Sequence, residues 1–149
     1  MTLDIYIERN NVMTSVHHYT QKGRLFYFEY GTKPFLENLQ GIDAVLYENL
    51  LSDKNFVIDG ADLTCFEQCL AATMKELYVQ HQQEILTMTF KRDNLHPFYL
   101  AFFDKEIPMN VNLFPTDIRL HRLDILWRVV LEARRLNKPI IMEYTIHKE

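Results

Sequence analysis

Leu3, Ile5 and Ile7 alternate with Asp4, Tyr6 and Glu8, and a period of two predicts a half-buried strand. Asn10-Asn11 ends it. After Gly23, the run Arg24-Leu25-Phe26-Tyr27-Phe28-Glu29-Tyr30 predicts a second strand, closed by Gly31, because aromatic-rich segments suit a pleated surface better than a helix. The stretch 12–20 is a candidate partner strand, joined to it by a hairpin turn at Gln21-Lys22-Gly23. Pro34 then suits the first turn of a helix. Phe35, Leu36, Leu39, Ile42, Val45, Leu46 and Leu50 follow it at spacings of three and four, interrupted by Gly41, so this segment reads as one helix or two short ones.

Phe56-Val57-Ile58 predicts a short strand ending at Asp59-Gly60. Asp62 is placed to cap the next helix, in which Leu63, Phe66, Leu70, Met74, Leu77 and Tyr78 line one face. The pattern loses definition near His81; 85–90 alternates weakly as a strand candidate, and 98–103, after Pro97, is another. Thr116 is a good N-cap with Asp117 in the first turn, and the helix it opens runs to about Asn137, with Arg134 and Arg135 in its last turn and Pro139 just beyond. Ile118, Ile125, Val129 and Leu136 lie on one face of it, widened by Leu120, Leu123, Trp127 and Leu131. A helix apolar around so much of its circumference is packed on more than one side. The segment 140–146 closes the chain as a strand, with Ile140, Met142, Tyr144 and Ile146 on one side. The expected architecture is a single α+β domain over 1–149: helices on one face of a mainly antiparallel sheet, with a long C-terminal helix followed by a closing strand.

Composition supports one packed domain: 149 residues, 48% apolar and 24% charged, with only four glycines and five prolines. The deviation is in aromatics, ten Phe and eight Tyr, which serve cores and interfaces alike. No apolar run is long enough to span a bilayer, and the alternating N-terminus lacks the continuous apolar stretch of a secretory signal. With Cys65 and Cys69 four apart in a helical segment, the expectation is a reduced, cytoplasmic protein. Net charge is −4, unevenly spread. Residues 1–115 hold 15 Asp+Glu against 9 Lys+Arg, whereas 116–149 hold 5 against 7. An acidic body argues against nucleic acid as ligand and favours a basic protein partner.

Candidate chemistry is sparse. Cys65 and Cys69 share a helix face, but a zinc site needs four ligands and the sequence offers no second pair; on the apolar side they read as small core residues. His17 and His18 are adjacent, so on a strand they point to opposite faces. Asp59-Gly60-Ala61-Asp62 could present two carboxylates, yet a turn glycine and a helix cap explain the same residues. His121 and Asp124 could form a base and its orienter, but Arg119, Arg122 and Arg128 make helix-surface ion pairs with Asp124 the simpler use. Neither serine, Ser15 or Ser52, sits in G-x-S-x-G, and no phosphate-cradling glycine loop, H-E-x-x-H or C-x-x-C is present. No cofactor or metal is expected.

In size, acidity and layout the chain looks like the small cytoplasmic immunity proteins of bacterial toxin–immunity systems. That resemblance implies a non-catalytic domain that binds a cognate toxin, with a basic nuclease as one candidate class, and occludes its active site. Asp43, Glu48, Asp53, Asp59 and Glu67 are the candidate acidic contacts, with Tyr30 and Tyr47 as aromatic anchors. Two other readings stay open: a small hydrolase or transferase using His17, His18 and either Glu29 or Asp59, and a homodimeric adaptor joined through the C-terminal helix or a strand edge.

Overall fold

The computed structural model of the chain describes residues 2–7, 20–21, 24–25, 55–87 and 94–145. It is a mixed α+β structure. The N- and C-terminal strands, β1 (Thr2–Tyr6) and β7 (Ile140–Thr145), lie side by side and antiparallel, with Ile5 opposite Met142. β4 (Phe56–Ile58) pairs on the other edge of β7, giving a three-stranded sheet of order β1-β7-β4. β2 (Thr20–Gln21) and β3 (Arg24–Leu25) pair antiparallel with Gln21 opposite Arg24, so Gln21, expected in the hairpin turn, belongs to the ladder, while the rest of the expected turn and of the 12–20 strand lies outside the described residues. The helices expected from Pro34 onwards and the remainder of the Arg24–Tyr30 strand lie outside the described residues.

Two long helices supply most of the described core. We label them α1 (Gly60–Thr87) and α2 (Pro115–Leu136). On α1, Leu63, Phe66, Cys69, Leu70, Met74 and Leu77 are buried, the spacing of a single apolar stripe. Ile58, Ile140 and Met142 join them from the sheet, while Val57, on the opposite face of β4, stays exposed. Cys69 is a core residue and Cys65 packs partly buried against the same core.

The helix boundaries correct several expectations. Asp59, not Asp62, closes the start of α1: its carbonyl accepts the N–H groups of Asp62 (3.0 Å) and Leu63 (3.2 Å), and its Oδ1 accepts the Gly60 N–H at 2.8 Å. Gly60 sits at φ +53°, where a side chain is strained by the backbone alone, since a Cβ there would meet nothing within 4 Å. The helix runs on through His81 to Thr87, so 85–87 is its last turn and not a strand. On α2, Thr116 is not the cap: Phe114 holds that position without a side-chain cap, and Pro115 opens the helix. The end is as expected. Asn137 turns left-handed at φ 53°, and the Asn137 and Lys138 N–H groups return to Arg134 and Ala133 carbonyls. Leu120, Leu123, Leu126, Val129, Val130 and Ala133 are the buried apolar residues of α2, and Leu131, expected in the apolar band, is exposed.

Between the helices lies a hairpin that the sequence only half disclosed. β5 (His96–Leu100) begins before Pro97 and ends earlier than expected, because Ala101–Asp104 form a turn, with Asp104 at φ 52°. β6 (Lys105–Met109) returns antiparallel, pairing Phe98 with Ile107 and Tyr99 with Glu106.

Candidate functional site

The hairpin has two unlike faces, which follow from the period of two along each strand. Leu100, Ile107 and Met109 are buried, with Phe98 partly buried beside them, and all four join the core. The alternate residues Pro97, Tyr99, Glu106 and Pro108 are all exposed. They form the outer face, on which Pro97 stands opposite Pro108 and Tyr99 opposite Glu106.

Two buried carboxylates on α2 hold this hairpin. Asp117 and Asp124 stand seven residues apart, two turns along one side of the helix. Asp124, 1% exposed, accepts the Ala101 and Phe102 N–H groups, each at 2.9 Å, and so fixes the turn. Arg128 donates from Nε to Asp124 (3.3 Å) and from Nη2 to the Tyr99 carbonyl (3.1 Å). Asp117 Oδ2 accepts the Asn110 N–H at 2.8 Å, where the chain leaves β6. Asn110 completes the clasp, donating from Nδ2 to the Asn94 carbonyl (3.1 Å) and accepting the Asn112 and Leu113 N–H groups. Unpaired backbone N–H groups at such places would be costly, and charge-assisted acceptors are the strong solution.

Asp117 also joins the two helices. His81 Nδ1 lies 2.7 Å from Asp117 Oδ1, with both side chains 0% exposed, and three residues on from His81, Glu84 accepts the Thr116 hydroxyl at 2.8 Å. With Asp117 accepting on both oxygens, Nδ1 is the donor, and Nε2 has no hydrogen-bond partner among the described residues. A histidine oriented by a carboxylate is also the base half of a nucleophilic site. Here, however, the ring is sealed from solvent, and the pair acts as a tie between α1 and α2.

Aromatic rings surround the turn. Phe102 meets Phe103 and Trp127 edge-on at 4.8 and 4.9 Å, and Phe103 meets Tyr78 at 4.7 Å. Lys105 lies over the Tyr78 ring at 4.7 Å and donates to its hydroxyl at 2.9 Å. Tyr99 remains 51% exposed; the Arg128 guanidinium stands 5.8 Å from its ring, and its hydroxyl donates to Asp104. That hydrogen bond, followed by desolvation and the Asp104 charge, raises the Tyr99 phenol above its ordinary pKa.

Of the residues singled out from sequence, Tyr30, Asp43, Tyr47, Glu48 and Asp53 lie outside the described residues, as do His17, His18 and Glu29. Asp59 is exposed at the start of α1. Glu67, two turns on, accepts Arg134 Nε (3.0 Å) and Nη2 (2.7 Å), bridging α1 to α2. Asp124 is not a helix-surface residue as expected; its oxygens go to the turn and to Arg128, while the His121 ring packs edge-on to Phe98 at 5.7 Å. The basic character of the C-terminal helix is also reduced by pairing: Arg128 with Asp124, Arg134 with Glu67 and Arg135 with Glu132.

Sequence reasoning passed over Tyr99, Asp104 and Glu106. The available signal was Tyr99 between a proline and a turn, which is too common to single out. Among the described residues, no helix is long and apolar enough to cross a membrane, and no group of three or more His, Cys, Asp or Glu side chains could hold a metal ion. Comparison with known proteins finds no matching family model, no similar curated protein and no similar solved structure, so the local geometry is what a functional reading has to rest on.

Proposed function

We propose that this chain is a non-catalytic protein-binding domain of the immunity type, which neutralises a cognate toxin in the cytoplasm by covering its active site. One observation supports this above the rest: two buried carboxylates, Asp117 and Asp124, fix the β5–β6 hairpin through three backbone N–H groups, and its outer face holds Pro97, Tyr99, Glu106 and Pro108 exposed. A pre-ordered prong with an exposed tyrosine suits recognition, because little conformational freedom is left to lose on binding. Aromatic and arginine side chains are also those that dominate binding energy in interfaces. The net charge of −4 fits a basic partner and a fast, salt-sensitive encounter.

The test is affinity capture of the full chain's partner from the native host, followed by reconstitution with the purified partner. A toxin that loses its activity when mixed one to one with this protein supports the proposal. A captured partner that stays fully active in the complex, or the absence of any protein partner, overturns it.

A further inference from the structure

The outer face of the β5–β6 hairpin points to the chemistry of its partner. A proline interrupts each strand edge for backbone pairing. Pro97 and Pro108 face each other across the hairpin, where an antiparallel ladder turns the backbone groups of both residues outward. Neither edge has an N–H at that position. The outward Tyr99 carbonyl is already taken by Arg128. Prolines on exposed edges disfavour strand addition, so the side chains are the main means of holding a ligand on this face.

Among the described residues, the two carboxylates of this face lack an ion-pair partner. Tyr99 and Glu106 are direct cross-strand neighbours, and the Tyr99 hydroxyl ties Asp104 to the same group. Of the nearby cations, Lys105 lies against Tyr78, and Arg128 is paired with Asp124 beside the Tyr99 ring. Asp104 and Glu106 are exposed, and neither forms an ion pair with a described residue. The Tyr99 ring, half exposed, already attracts one guanidinium at 5.8 Å. An aromatic face bordered by two carboxylates and backed by prolines is complementary to a cation on a flexible stem.

We infer that this face docks a lysine- or arginine-bearing segment of a protein partner, with the cation over Tyr99 and its charge met by Glu106 and Asp104. The inference rests on the protein-binding reading and names the surface and the partner's chemistry. Binding by a short segment is weak, because exposed cation–π and ion-pair contacts are each screened by water.

The test uses the full chain, ¹⁵N-labelled, titrated with a (Lys-Gly)4 peptide, a (Glu-Gly)4 peptide and a polyproline peptide. The expected result is saturable amide shifts at Tyr99, Asp104 and Glu106 with the basic peptide alone. Tyr99→Ala and Glu106→Gln should each weaken that binding at least threefold, and Glu76→Gln, on the exposed side of α1, should leave it unchanged. Shifts centred on another surface, equal shifts with the acidic or polyproline peptide, or unaltered binding in both hairpin variants would overturn it. The two proposals fail separately. A captured partner that binds Tyr99→Ala and Glu106→Gln as tightly as wild type removes this inference and leaves the function standing. Basic-peptide binding localised to the hairpin, in a protein with no cellular protein partner, does the reverse.

Discussion

The two faces of the β5–β6 hairpin are built from the same ten strand residues and do opposite things. Inward, Leu100, Ile107 and Met109 are buried in the core; outward, Pro97, Tyr99, Glu106 and Pro108 meet solvent. The inner face supplies the hydrophobic free energy that attaches the hairpin. The outer face supplies almost none, so its shape is set by what lies behind it: the Asp124 carboxylate in the turn and the Asp117 carboxylate at the exit. Stability and presentation are thereby separated by one-residue steps along each strand. Changes on one side should show in unfolding and changes on the other in binding.

Truncating the inner face should have the largest effect. Leu100→Ala should destabilise by about 3 kcal/mol, as for other large-to-small core changes, read from the urea midpoint. Asp124→Ala comes next: it strands the Ala101 and Phe102 N–H groups and should cost about 2 kcal/mol, with amide exchange at 101 and 102 accelerating beyond the global rate. If exchange there followed only global unfolding, Asp124 would not be the element that fixes the turn. On the outer face, Tyr99→Ala should change stability by less than about 1 kcal/mol; a loss as large as that of Leu100→Ala would erase the distinction between the faces.

The smallest effect concerns proton binding. Because Asp104 accepts the Tyr99 hydroxyl, the folded-state pKa lies above the unfolded one. The contact therefore contributes stability in full below the ordinary tyrosine pKa and loses it as pH rises through the raised value. Asp104→Asn should bring the Tyr99 titration, followed by NMR of the ring carbons, back down towards its ordinary position. An unchanged titration would mean that the hydroxyl does not bond Asp104 in solution.

Legibility from sequence followed local periodicity. β4 lies where Phe56-Val57-Ile58 was expected, and the terminal strands and the body of α2 lie close to their predicted bounds. β6 was not legible: Lys105-Glu106-Ile107-Pro108-Met109 has a proline in the middle, ordinarily an argument against a strand. Pairing with Pro97 resolves this by turning both prolines to open edges. Thr116 and Asp117 had the residue types of a cap and first turn, but their side chains reach Glu84 and His81 on α1, more than 30 residues away in sequence. A cap is a local contact that sequence can suggest; a tie between helices depends on how they cross.

The sequence by itself determined the α+β class, the apolar stripe of α1, the stop of α2 at Asn137 and the acidic balance of the first 115 residues. These follow from short-range propensity, spacing and composition, which act within a few residues. Only the tertiary structure decided that Asp117 and Asp124 are buried clasps, that Glu67 pairs with Arg134, and that Tyr99, Asp104 and Glu106 share one exposed face. The physical reason is that a carboxylate's role depends on which donors and how much water surround it. On this chain those donors come from other elements, brought into reach by packing.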